Sequence, residues 1–283
     1  MCTCLPFLSP CQHAAGTLHH RRNTGGLGRL TTLKGVAGVG DHPAGPLVQR
    51  MWVQCLRERG SSGAPPPGVK AHFPAPLVGL SVAWLNAAAE GDPSTAAERR
   101  QYACWLILGF FGMLRRSDPS GLKIGEVESV PGGGVRLWVA KSKTDQRGAG
   151  AEVLLAATSG SRLPIQNIVA RHLQLVAQEG AAAQHPLFCR GAKWGARLVG
   201  LSKGDFSVRL RRLLAEPGRA YSQLNLDASH FLAHSLRKGG ATKAAQGGVS
   251  LEDIKRHSRW RSAAVMAYIQ PDVTSRLQLV ERM

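Results

Sequence analysis

Carboxylates are scarce in this chain of 283 residues: 18 Asp and Glu stand against 36 Lys and Arg, and none occurs before Asp41. The formal charge of +18 at pH 7 excludes an acidic surface and points to a polyanionic partner, nucleic acid first. A basic solvated surface, or an organellar or ribosome-associated protein, is the alternative. Long apolar runs are also missing. The longest, Ala103 to Leu114, is broken by glycines, ends in arginines and falls short of the roughly 18 residues a transmembrane helix needs, so a soluble chain with no membrane partner is expected. Cysteine is sparse: six spread along the chain make no disulfide framework, and a reducing compartment fits best. Cys104 sits inside an apolar stretch where a buried free thiol is ordinary. Cys2, Cys4, Cys11 and His13 match no standard zinc spacing, so no metal is expected. Internal repeats and nucleotide-type glycine loops are absent too, and no cofactor is implied.

What is present includes 43% apolar residues, enough for a core. Residues 1–75 read as a poorly ordered basic segment, because Gly, Pro, His, Ser and Arg dominate and no period persists. Such a start is compatible with a transit peptide, a DNA-touching arm or sequence upstream of the true start. Val48 to Arg59 is a candidate short helix, and Ser61 to Gly68 reads as a linker. Residues 76–283 read as the folded domain. Leu77, Leu80, Ala83 and Leu85 make a short amphipathic helix, and Asp92 to Thr95 cap a long one running through Leu114, apolar nearly all round from Tyr102 and delivering Arg115 and Arg116. A triple-glycine turn leads the strand Val135 to Val139; Glu152 to Ala156 returns it, and Lys141 to Arg147 form a basic hairpin tip. Helices follow from Pro164, from near Asp205, around His234, after Ser250 and after Ser262. The fold class is therefore mainly α with a small β-hairpin (α+β).

The stretch from His234 to Tyr268 concentrates the chemistry. His234 and Arg237 share a helix face at i, i+3; His257, Arg259, Trp260 and Arg261 follow, and Tyr268 closes the run. Cations, a neutral donor and a phenol suit a site that holds a phosphodiester and attacks it. Tyrosine occurs only three times, and Tyr102 in the apolar helix and Tyr221 in a loop lack the basic residues arrayed around Tyr268.

Four pieces in order carry a family resemblance. GMLRRSDPSGL at Gly112 to Leu122, SKT at Ser142 to Thr144, HSLRKGGAT at His234 to Thr242 and IKRHSRWRSAAVMAYI at Ile254 to Ile269 resemble, respectively, the first arginine box, the β-hairpin lysine, the His-x-x-Arg box and the final tryptophan and tyrosine of the tyrosine-recombinase catalytic domain. The branch most resembled is the transposon-borne one of DIRS-type elements and Cryptons. The resemblance implies the tyrosine-recombinase, DNA breaking-rejoining fold. It also implies a catalytic set of Arg115, Lys143, His234, Arg237, Trp260 and Tyr268, braced by Asp118, with Arg116 a spacer. Lys141 competes with Lys143, and His257 with Trp260. Two guanidinium forks would clamp the non-bridging oxygens where charge develops, and the indole N–H can only donate.

By the same resemblance, Tyr268 attacks a DNA phosphate, forms a 3′-phosphotyrosyl link and releases a 5′-hydroxyl protonated by Lys143, with His234 assisting and neither metal nor ATP required. Arg116, Lys141, Arg209, Arg211, Arg212, Lys238 and Arg259 are expected to touch double-stranded DNA, within a wider basic surface of Arg190, Lys193, Arg197 and Lys203. A homo-oligomer assembled on DNA is expected, in the nucleus of a eukaryote or otherwise in cytoplasm or nucleoid. The family's helical core-binding domain has no counterpart in residues 1–75, where only Thr31 to Val39 reads as a trace of its end. Both an active strand transferase, site-specific or topoisomerase-like, and a weakly active DNA-binding remnant of a mobile element are consistent with this pattern.

Overall fold

Prolines and short polar side chains set the helix starts. In the computed structural model, which describes residues 71–142, 145, 148–159, 163–190, 199–215 and 231–269, helix α1 (Ala75–Gly91) begins directly after Pro74, whose carbonyl accepts from Leu77 N and Val78 N. The Val48 to Arg59 helix, the rest of residues 1–70, Lys143, Lys193, Arg197, Tyr221 and the tail from Thr274 lie outside the described residues. Asp92 caps α2 (Pro93–Phe111), its carboxylate accepting from Ser94 N at 3.0 Å and from Thr95 Oγ1 at 2.8 Å.

Helix α2 is the axis of the fold. Its Ala103, Cys104, Trp105, Leu106, Ile107, Leu108 and Phe110 are all buried, as an all-round apolar helix should be. It stops at Phe111, short of the expected Leu114, because Met113 takes a left-handed backbone (φ 43°) and turns the chain. Leu114 is still buried, which explains why the apolar pattern ran on past the helix. Arg115 and Arg116 thus follow a turn, outside any helical last turn.

A short helix α3 (Asp118–Gly121) and a 3₁₀ turn (Ile124–Glu126) lead into a three-stranded antiparallel sheet of β1 (Val127–Ser129), β2 (Val135–Val139) and β3 (Ala151–Leu155), in the order β1-β2-β3. The hairpin was expected; β1 was not. Glycines 132 to 134 all have positive φ, and a Cβ on Gly134 would lie 2.5 Å from Leu155 O, so the tight β1–β2 turn requires glycine there. Val135, Leu137, Val139, Val153 and Leu155 face the core. On the opposite face Arg136 pairs with Glu128 at 2.9 Å and Glu152 at 3.1 Å.

Helices α4 (Ile165–Gln178), α5 (Lys203–Ala215), α6 (Ala233–Gln246) and α7 (Leu251–Ser258) complete the described chain, followed by a 3₁₀ turn (Ala263–Ala267). Helix α2 packs against α1, α4 and α6, while α7 touches α6 and β3. The principal core reaches back to Phe73, whose N–H donates to Ser235 O at 2.9 Å. A separate apolar cluster of Met113, Ala241, Ile254 and Val265, with Trp260 and Ile269 against it, joins the end of α2 to α6, α7 and the final turn. The architecture is mainly helical with one small antiparallel sheet, as the sequence predicts.

Candidate active site

The small second core brings the His-x-x-Arg helix and the tyrosine turn together. At the start of α6, Leu232 N donates to Ser235 Oγ at 3.1 Å, fixing the entry one residue before His234. The i, i+3 spacing then sets His234, half-buried, beside Arg237, which is 1% exposed. Arg237 donates from Nη1 to Met113 O and from Nη2 to Ser258 O at 2.6 Å, and its guanidinium lies 3.9 Å from the centroid of the Trp260 ring. Ser262 Oγ caps the last turn by accepting from Ala264 N at 3.3 Å, and Tyr268 ends it. The Tyr268 ring meets His234 edge-on at 4.8 Å and Trp260 at 4.8 Å between centroids. Thr242 Oγ1 donates to Tyr268 O at 3.1 Å, tying the turn to α6.

Asp118 organises the other half. Its Oδ2 accepts from Arg115 N at 2.8 Å and from Arg259 Nη2 at 2.7 Å, and Arg115 Nη2 donates to Arg259 O at 2.9 Å. The carboxylate therefore braces Arg115 through its backbone N–H. Arg259 was expected to touch DNA; its side chain is only 9% exposed and is engaged with Asp118. Three arginines thus crowd one carboxylate. Burial, then Arg115 and Arg259, push the Arg237 guanidinium down to about 9. Burial lowers Arg259 as well, against the pull of Asp118. Burial followed by the charges of Arg237, Arg116 and Lys238 lowers His234, favouring the neutral imidazole. Nε and Nη1 of Arg259 are buried with no hydrogen-bond partner among the described residues. Burying more guanidinium than carboxylate charge is costly, and it leaves the cluster with a net positive charge.

The hairpin borders this cluster. A cavity of about 200 Å³ is lined by Val139, Ser142, Asp145, Arg259, Trp260 and Arg261, so the residue preceding Lys143 opens onto the same space as Trp260. Asp145 holds the hairpin in shape, accepting from Gly150 N at 2.7 Å and Ala149 N at 3.1 Å. Lys141 is exposed and lines a neighbouring cavity of about 260 Å³ with Asp118, Lys123 and Glu126.

Of the two rivals for the tryptophan position, His257 is anchored elsewhere, its Nε2 bonding to Phe111 O at 2.7 Å, while Trp260 meets Tyr268 directly. Arg116, Arg211, Arg212 and Lys203 are exposed and Lys238 is half-buried. Arg209 lies over the Tyr102 ring at 4.5 Å and within 3.5 Å of Glu98, and Arg190 pairs with Asp205 at 3.1 Å. Both are held by neighbours on the protein. Sequence reasoning missed the Met113 and Ser258 carbonyls and the bracing role open to Arg259. Backbone acceptors leave no trace in residue type, but an arginine directly after a helix, where glycine is favoured, was a usable signal.

No protein-family profile matches the chain. It is 26% identical over 157 residues to an integrase/recombinase XerD homologue of Selenomonas ruminantium, covering 56% of this chain and 43% of that protein. The XerH site-specific recombinase in its post-cleavage complex with palindromic difH substrate superposes at a TM-score of 0.54 and 16% identity, over 76% of this chain and 54% of that one. For the XerA recombinase the TM-score is 0.52 at 14% identity, over 78% and 66%. For the Tn1549 transposon integrase with transposon right-end DNA it is 0.51 at 12% identity, over 78% and 67%. The chain spans less than half the length of the curated relative and 54% of the XerH chain. Its fold is that of tyrosine-recombinase catalytic domains.

Proposed function

We propose that the chain cuts and rejoins double-stranded DNA through a 3′-phosphotyrosyl intermediate on Tyr268. The observation that carries the reading is the meeting of His234, Arg237 and Trp260 around Tyr268, with Arg115 joined to the same cluster through Arg259. Arg115 and Arg237 neutralise the non-bridging oxygens of the attacked phosphate, and Trp260 donates its indole N–H to one of them. The phenolic oxygen of Tyr268 bonds to phosphorus as the bond to the 5′-oxygen breaks. Lys143 protonates that oxygen, and neutral His234 takes the phenolic proton. Guanidinium charge substitutes for a metal ion, and the covalent link keeps the phosphodiester energy, so neither metal nor ATP enters. Attack by a second 5′-hydroxyl reverses the step and seals the strands.

Arg116, Lys141, Lys238, Arg211 and Arg212 supply backbone contacts to the duplex, and copies of the chain assemble on it. Residues 76–283, with Phe73 packed into their core, form the catalytic domain, and a basic segment precedes it. The four boxes in order, from Gly112 to Tyr268, most resemble the transposon-borne DIRS/Crypton branch, and a mobile-element origin is inferred from that resemblance. A second reading, a weakly active DNA-binding remnant, is favoured by the burial of Arg237, which is 1% exposed and has both Nη atoms engaged by the Met113 and Ser258 carbonyls.

A nicked duplex substrate, labelled on the strand 5′ of the nick-proximal phosphate and incubated with the protein in EDTA, separates the two. A labelled covalent adduct supports the strand transferase. Salt-sensitive DNA binding with no adduct rejects it in favour of the remnant.

A further inference from the structure

Arg259 stands out on three independent observations. It is one of only two non-glycine residues with positive φ among the described residues, at 61°, a left-handed conformation that a side chain disfavours and glycine takes freely. Its guanidinium is buried and paired with Asp118 at 2.7 Å. Its own carbonyl accepts from Arg115 Nη2 at 2.9 Å. Asp118 closes the circuit by accepting from Arg115 N at 2.8 Å. Backbone and side chain of one residue therefore grip both ends of Arg115, across the gap between the turn after α2 and the end of α7.

We propose that Arg259 is a positioning residue of the strand-transfer site: it holds Arg115 in line with Arg237 and makes no phosphate contact of its own. The inference rests on Arg115 being a phosphate-binding residue, as proposed above. The left-handed backbone explains how the grip forms. It ends α7 and turns the residue so that its carbonyl meets the Arg115 fork while the side chain returns to Asp118. Ser258, the preceding residue, gives its carbonyl to Arg237 at 2.6 Å. Consecutive carbonyls at one helix end thus hold the two arginines that would clamp a single phosphate. Helix α7 sets their separation, and the Arg259 side chain locks α7 to Asp118.

A double-mutant cycle on the full chain tests this, using the rate of covalent adduct formation at saturating nicked duplex together with the salt slope of duplex binding. Arg259→Ala is expected to slow adduct formation on the order of 100-fold, the scale of an ångström-sized misplacement, while the salt slope stays unchanged because no phosphate contact is lost. The Arg115→Ala/Arg259→Ala pair is expected to be no slower than Arg115→Ala alone. Arg259→Gly, which keeps the carbonyl and suits the backbone, should fall between wild type and Arg259→Ala. Arg259→Lys should recover part of the rate, and serves if the alanine variant fails to fold. A merely structural role would lower the unfolding midpoint and leave the rate of the folded, DNA-saturated protein untouched, which would overturn the proposal. So would a salt slope reduced by about one unit in Arg259→Ala, the mark of a direct phosphate contact, or losses that multiply in the double variant. A wild-type chain that forms no adduct overturns the strand-transferase reading itself, and this inference with it.

Discussion

Replacing Gly240 by alanine sets two well-characterised effects against each other. In the interior of a helix alanine is favoured over glycine by about 0.8–1.0 kcal/mol, so propensity alone predicts that Gly240→Ala stabilises α6. The packing predicts the reverse. A Cβ at Gly240 would overlap the carbonyl oxygen of Phe110 and approach Met113 Cγ to 3.1 Å. Ordinary carbon–oxygen contacts lie at about 3.3–3.6 Å, so α6 and the end of α2 must separate by on the order of 1 Å. The obstacle is backbone, which cannot swing aside as a side chain would, and overpacking of this kind typically costs about 1–3 kcal/mol. Taking the upper part of that range and subtracting the propensity gain leaves a net destabilisation of about 2 kcal/mol. The same displacement pulls Arg237 from Met113 O, so adduct formation should fall by about 100-fold. Urea unfolding followed by circular dichroism gives the stability, with Gly91→Ala as control because its Cβ would meet nothing within 4 Å. The control should be neutral or slightly stabilising. A Gly240→Ala protein as stable as wild type, or more so, refutes the close-approach argument.

Two further predictions concern pH. His172 is buried, stacked on Phe188 and bonded to Leu187 O at 2.9 Å, and burial lowers its pKa from 6.5 to about 4. Only the unfolded chain takes up this proton between those values, so the stabilisation is complete above pH 6.5 and is lost as pH falls towards 4, by up to about 3 kcal/mol. His172→Gln should be less pH-dependent than wild type from pH 6.5 to 5 in urea unfolding, and equal slopes would refute the assignment. For His234, whose pKa is lowered, the acid limb of the adduct-formation rate should fall below pH 6.5. Arg116→Gln removes one of the charges responsible and should move that limb upward; an unmoved limb would show that another group governs it.

Much of this arrangement was legible because it depends on local signals. The caps at Asp92, Ser250 and Ser262 all form as their side chains predict. The His234/Arg237 pairing and the hairpin also follow from period alone. Strand β1 was not legible: Val127 to Ser129 is three residues long with one buried position, too short to display alternation, and pairing with β2 creates it. The end of α2 was misplaced because Met113 and Leu114 are buried in a turn, and hydrophobicity reports burial, not helix. Arg209 and Arg259 counted as DNA contacts because residue type alone cannot distinguish a cation offered to solvent from one stacked on Tyr102 or paired with Asp118. The local signals located the cations, and only tertiary packing decided which of them face outward.

The central claim, that Tyr268 is the nucleophile, is tested most directly by trapping the protein on a nicked duplex and mapping the modified peptide by mass spectrometry, alongside Tyr268→Phe. The account predicts a nucleotide attached to Tyr268 through a 3′-phosphate and no adduct in the phenylalanine variant. An adduct that forms on Tyr268→Phe, or one mapped to Tyr102 or Tyr221, would contradict it.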